Sequence, residues 1–208
     1  MKYIFLFFMT FFVISMYGQE EKKYAVGDIY SEGNVVGIVV KVTDEGRHGM
    51  IMSLDVGEGF WSRKPKKERG ELFLSVTNAT SKDDGIYNME QIAKFIEQNN
   101  LNWEYFPPFH WCRNKGEGWY LPAINELIEI NKAFHGGKIE KNREAEKAFN
   151  QIIEKNGGKK LNSSTRYFSS TELTYRQVYI IYMEKGILAY GCEESKISTC
   201  SVRAVYKF

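Results

Sequence analysis

The chain has 208 residues, of which 43% are hydrophobic and 26% charged, and a formal net charge of +2. So small a charge excludes a general electrostatic case for nucleic acid or for an anionic membrane surface. After the first 18 residues no stretch approaches the roughly 20 apolar residues of a membrane-crossing helix, so the apolar residues must fill a core, and their number suits one domain.

Met1-Lys2 precedes an apolar run from Tyr3 to Met16 that stops at Gly18-Gln19 and Glu20-Glu21. A positive start, a short apolar stretch and a small residue before a polar one read as a secretory signal peptide over residues 1–18. Cleavage is expected after Gly18, with Ser15 as second choice. No cysteine stands there to take a lipid. The expected mature chain, residues 19–208, is exported without a transmembrane anchor and is periplasmic, at the outer surface, or secreted.

From Tyr24 to Leu54 the chain is rich in β-branched and apolar residues. Asn34 to Val42 and Gly49 to Leu54 read as strands separated by the turn signal Asp44-Glu45-Gly46. Gly57 to Glu71 reads as a polar, basic loop that holds Trp61. Three helices follow. The first is expected from Asn88 as N-cap, with Gln91 completing a capping box and Met89, Ile92, Ala93 and Ile96 as its apolar stripe. The second starts near Pro122. The third carries Ala145, Ala148, Phe149, Ile152 and Ile153 at helical spacing and stops at Gly157-Gly158.

The last fifty residues return to strands. Val178 to Met183 is apolar on both faces, as in an interior strand covered on both sides. Glu184-Lys185-Gly186 turns into Ile187 to Gly191, and Ser201 to Phe208 alternates to the end. Strands, then helices, then strands predict one α+β domain whose terminal strands share a sheet.

Of the three cysteines, Cys192 and Cys200 flank the polar stretch Glu193 to Thr199. They are expected to face each other across a hairpin mouth as a disulfide, the state that exported proteins favour. Cys112, between Trp111 and Arg113, reads as a small buried apolar residue.

Three blocks resemble a known family. Trp111-Cys112-Arg113 with Gly118-Trp119-Tyr120-Leu121-Pro122 and Glu126-Leu127, then Tyr167-Phe168-Ser169-Ser170-Thr171-Glu172, then Val202-Arg203-Ala204-Val205, together resemble bacterial C-type-lectin-like domains of the Lcl type, found at the end of a collagen-like adhesin and akin to the Fibrobacter major paralogous domain. Asn156-Gly157-Gly158 and Val26-Gly27-Asp28 agree with that order. The resemblance implies a mixed or antiparallel sheet with flanking helices and long irregular loops, and a binding or adhesion role. Ala123 stands where the family has Thr or Ser, which implies an undercapped second helix and a gain of about 1 kcal/mol for Ala123→Thr. The apolar spacing of residues 116 to 127 marks them as scaffold.

Candidate chemistry is sparse. His48, His110 and His135 are scattered, and no HExxH, GxSxG or P-loop pattern occurs. Asp83-Asp84-Gly85 is first a turn signal, and the calcium-binding triplets of animal C-type lectins are missing. No cofactor, metal or catalytic residue is expected. Formylglycine-generating enzymes, which hold copper with two cysteines, resemble the Trp119 to Leu127 block less closely, since Tyr120, Ala123 and Leu127 replace their Arg, Thr and Trp.

Two surfaces remain as ligand candidates. Trp61 with Arg63, Lys64, Lys66, Lys67 and Arg69 could hold an anionic glycan. Arg166, Tyr167, Glu172, Tyr175 and Arg176 lie in the segment where lectin-like folds carry ligand loops, with Tyr167 expected in the core. The expected partner is a polysaccharide or a cell-surface protein. The alternative is a structural subunit of a cell-envelope assembly.

Overall fold

The computed structural model describes residues 22–65, 68, 73–138, 141–183 and 192–208, with only the backbone of residues 192–194. The expected signal peptide, Lys66, Lys67, Arg69 and the expected turn and strand over residues 184–191 lie outside the described residues.

The fold is α+β, as expected. The strands are β1 (Ile29–Glu32), β2 (Val35–Thr43), β3 (His48–Ser53), β4 (Gly57–Phe60), β5 (Arg166–Glu172), β6 (Gln177–Tyr182), β7 (Cys192–Ser195), β8 (Thr199–Val202) and β9 (Val205–Lys207). Between β4 and β5 lie the helices α1 (Gly85–Gln98), α2 (Pro107–Arg113), α3 (Ile124–Phe134) and α4 (Arg143–Lys155). One sheet has the order β1-β2-β3-β9 and the other β4-β8-β5-β6-β7. The C-terminal strand β9 therefore does close on the N-terminal meander, antiparallel to β3.

The alternation along the strands sends side chains into two cores. In β2, Val39 faces an aromatic core with Trp61, Phe106 and Phe109, whereas Ile38 and Val40 face a second core with Leu127, Phe134 and Ile153. Ile51 and its neighbours Met50 and Met52 divide the same way in β3. Each sheet is thus covered on both faces, which is why β2 and β6 read as nearly continuous apolar runs.

Several boundaries differ from expectation. Helix α1 starts at Gly85, and Asp84 caps it by accepting from Ile86 N (3.0 Å) and Tyr87 N (3.2 Å). Asn88 is instead a buried connector that donates to Ser81 O (2.8 Å) and Ser170 Oγ (2.9 Å). Gly85 is required there, because a Cβ would lie 2.5 Å from Leu121 O. Helix α2 is too short for a periodic signal and was not expected. The Gly57 to Glu71 stretch begins as a true strand, β4, paired with β8.

The start of α3 is not undercapped. Thr171 Oγ1 accepts from Ile124 N (3.0 Å) and Lys82 O from Asn125 N (2.9 Å), while Glu126 Oε2 accepts from Ala123 N (2.9 Å). Two other segments supply the partners that a threonine side chain would have supplied. Ala123 is also fully buried, so a larger side chain has no room. Ala123→Thr is therefore expected to change stability by less than about 0.5 kcal/mol or to lower it. Thermal melting checks this, and a rise of several degrees would show that the tertiary caps are weak.

Candidate functional site

The Gly118 to Pro122 stretch is scaffold. Trp119, Tyr120 and Leu121 are buried, and Tyr120 N and O bond Val205 O and N at 3.0 Å each, adding a residue to the sheet edge beyond β9. Tyr120 Oη donates to Glu126 Oε1 (2.8 Å), and burial beside that carboxylate pushes the phenol far above its ordinary range.

The two predicted ligand surfaces divide sharply. Trp61 is not a sugar platform. It is fully buried, stands edge-on to Phe109 (5.0 Å) and Phe106 (6.0 Å), and donates its indole N–H to Ser169 O (3.0 Å). The misreading follows from β4: once Gly57–Phe60 is a strand in the sheet, the next residues enter the core rather than a loop. Gly57 allows this approach, since a Cβ there would lie 2.7 Å from the Trp111 ring.

Glu172 is likewise not exposed to ligand. It is buried against Lys196, which is also buried, in an ion pair. Thr77 N (2.9 Å), Asn78 N (2.9 Å) and Thr77 Oγ1 (3.2 Å) donate to its Oε2. Lys196 Nζ also donates to Ser75 O (2.6 Å) and lies 4.7 Å from the Trp61 ring centroid. Burial holds this lysine below the ordinary range. The arrangement ties β5, the segment before α1 and the β7–β8 connection into one hub. Tyr167 is buried, as expected. Arg166 is half-buried at the start of β5, opposite Tyr182.

The segments of four predicted residues, Arg63, Lys64, Tyr175 and Arg176, are linked through the backbone of Lys196. Tyr175 is 48% exposed, and Arg176 stacks on its ring at 5.0 Å. Arg176 O accepts from Lys196 N (2.9 Å), and Lys196 O accepts from Ser62 N (3.3 Å). One residue therefore spaces the backbone of Arg176 from that of Ser62, next to Arg63 and Lys64. Arg63 lies over the Phe60 ring (4.6 Å), and both line a cleft of about 540 Å³ with Lys64, Pro65, Glu104 and Pro107. Such a rim offers planar guanidinium donors beside aromatic faces, the chemistry that suits an anionic, ring-bearing chain.

The cysteines do not meet as expected. β5 and β6 lie between β7, which carries Cys192, and β8, which carries Cys200. Three strand spacings come to about 14 Å, against the roughly 7 Å between Cα atoms that a disulfide tolerates. Copper held between these two thiols meets the same separation. The Cys192 side chain lies outside the described residues. Cys112 is buried, and burial pushes its thiol well up, as for an inert core residue. His135 is buried with Nε2 2.7 Å from Met183 O, and His48 is exposed. Among the described residues no group of three or more His, Cys, Asp or Glu side chains could hold a metal, and no helix is long and apolar enough to cross a membrane.

No protein-family model matches the chain, and no curated protein does. Among solved structures it is similar to the crystal structure of a fimbrial protein from Bacteroides ovatus, with a TM-score of 0.54 and 20% identity over 77% of this chain and 36% of that one. The chain thus spans about a third of that protein, and at this identity the likeness is one of fold.

Proposed function

We propose that this is an exported, non-enzymatic binding or adhesion module with a C-type-lectin-like fold of the Lcl type, and that its cationic rim takes an anionic polysaccharide or a cell-surface protein. The observation that carries this reading is the convergence of Arg63, Lys64, Tyr175 and Arg176, distant in sequence, on either side of Lys196. A fold shared with a fimbrial protein agrees with a place at the cell surface.

Binding of the purified mature protein to acidic polysaccharides should weaken as salt rises, because solvent-exposed charges are screened. Replacing Arg63, Lys64 and Arg176 together by Ala should weaken it by roughly tenfold or more, at about 0.5–1 kcal/mol per exposed cationic contact. Binding that ignores both changes would remove the rim as the site. The fimbrial likeness also supports a second reading, a structural subunit of an envelope assembly. That reading expects a stable complex from envelope extract and no polysaccharide bound.

A further inference from the structure

Helix α3 ends, and helix α4 begins, around a buried histidine. His135 is the C-cap of α3, where its main-chain N–H donates to Asn131 O (3.1 Å), and the residue is fully buried with its ring beside Phe134. Nε2 lies 2.7 Å from Met183 O, just beyond the end of β6. A carbonyl oxygen can only accept, so Nε2 carries a hydrogen, and the charge of the ring is decided at Nδ1.

Two groups compete for Nδ1. Asn142, the N-cap of α4, aims its main-chain N–H at it from 3.4 Å, which suits a neutral ring whose Nδ1 accepts. Glu146, in the first turn of α4, holds Oε1 3.4 Å from the same nitrogen, which suits an imidazolium whose Nδ1 donates. That oxygen is buried and has no hydrogen-bond donor among the described residues. A neutral His135 therefore leaves it facing a lone pair, whereas the imidazolium gives it both a donor and an opposite charge. The other charged groups on the elements packed here do not take its place. On α3, Lys132 pairs with Glu129 at 2.9 Å. Lys41 on β2, Lys138 and Lys141 in the connection, and Arg143, Glu144 and Lys147 on α4 are exposed. β6 brings only the phenols Tyr179 and Tyr182, which are neutral below about pH 10.

We propose that His135 is a proton-operated latch between α3 and α4. With its second proton, Nδ1 donates to Glu146 Oε1 and ties the first turn of α4 to the end of α3. Without it, Nδ1 accepts from Asn142 N–H, and the Glu146 carboxylate turns to water. The exchange falls between about pH 5 and 8, where histidines change charge and ordinary glutamates stay ionised. The ion pair exists only in the protonated form, so its contribution to stability is present in acid and is lost as pH rises through the titration of His135. The same turn places Ala145, Ala148 and Phe149, which line a groove of about 630 Å³ with Val26 and Val42. Protonation thus sets how firmly that wall of the groove is held against β2.

The test is a titration of the purified mature protein between about pH 5 and 8, read by the ring nitrogen shifts of its histidines and by the Asn142 amide. The expected result is that His135 Nδ1 gains and loses a proton while Nε2 stays protonated throughout, and that the Asn142 amide shifts with the same midpoint. Glu146→Gln keeps the shape of the side chain and removes its charge. It should move that midpoint toward acid by about one pH unit, a tenfold loss of proton affinity. In urea unfolding, the stability of the parent over Glu146→Gln should be larger at about pH 5.5 than at about pH 8. A merely structural Glu146 would give the same difference at both. The proposal is overturned if His135 keeps one proton state across the range, if its neutral ring carries the hydrogen on Nδ1, or if Glu146→Gln leaves the midpoint and the pH profile unchanged.

Discussion

Replacing Glu172 with Gln is expected to destabilise the protein by about 3–5 kcal/mol, the cost of leaving a buried charge without its partner. The amide would still accept from Thr77 N and Asn78 N, so the substitution isolates the charge of Lys196, held only by Ser75 O and the Trp61 face. Lys196→Met should cost less, because the Glu172 carboxylate keeps three donors from Thr77 and Asn78. The double variant should cost less than the sum of the two, with the difference measured by urea unfolding as a coupling energy. Additive costs would mean that the pair does not act as a unit.

A pH scan provides an independent check. Burial lowers the folded-state pKa of Lys196 below the 10.5 of the free side chain. Between those two values the unfolded chain binds more protons than the folded one, so this lysine makes stability rise with pH in that window. The parent minus Lys196→Met difference should show that slope. The functional consequence lies in the backbone of the same residue. Lys196 N and O connect Arg176 to Ser62, so the buried ion pair fixes the spacing of the two halves of the cationic rim.

The scaffold was more legible in the sequence than the site, for a physical reason. Periodicity reports burial, and burial marked β2, β6, α3 and α4 correctly. The three blocks that resemble the Lcl type also proved structural: Tyr120 extends a sheet edge, Glu172 anchors Lys196, and Arg203 is buried. The errors arose where a partner far along the chain decides an environment. Trp61 sits beside basic residues in sequence but beside Phe109 and Ser169 in space. Ala123 lacks a capping side chain, yet Thr171 and Lys82 provide the caps. A contiguous run of charge suggested the basic loop, whereas the segments of Arg63 and of Tyr175 and Arg176 are brought together through the backbone of Lys196, far from both in sequence.

Arg203→Met should be the second severe lesion, at about 4 kcal/mol or more, comparable to the largest single-residue effects. The chain passes from one sheet to the other twice, between β3 and β4 and between β8 and β9, and Arg203 stands at the second crossing. Its Nη1 donates to Ser53 O (3.2 Å), Leu54 O (2.8 Å) and Asp55 O (2.9 Å), which form the first crossing. Its Nη2 donates to Lys159 O and to Lys160 O (2.9 Å), in the segment that leads from α4 to β5. One buried guanidinium thus holds two distant stretches of chain through their carbonyls. Methionine would remove the guanidinium from all five carbonyls. Leu54 O keeps Lys159 N (2.8 Å) and Asp55 O keeps Ser53 Oγ (3.1 Å), so the cost of about 1–3 kcal/mol for each acceptor left short of a donor falls on Ser53, Lys159 and Lys160. Lysine restores the charge but not the planar fork, so Arg203→Lys should recover only part of the loss. Because the acceptors are neutral carbonyls, the loss should be nearly independent of salt, unlike binding at the cationic rim. Hydrogen exchange should locate the damage at residues 53–55 and 159–160 before the helices open. Uniform exchange across the whole chain would instead mean that the two crossings do not loosen as a unit, and that Arg203 acts on global stability rather than on the junction between the sheets.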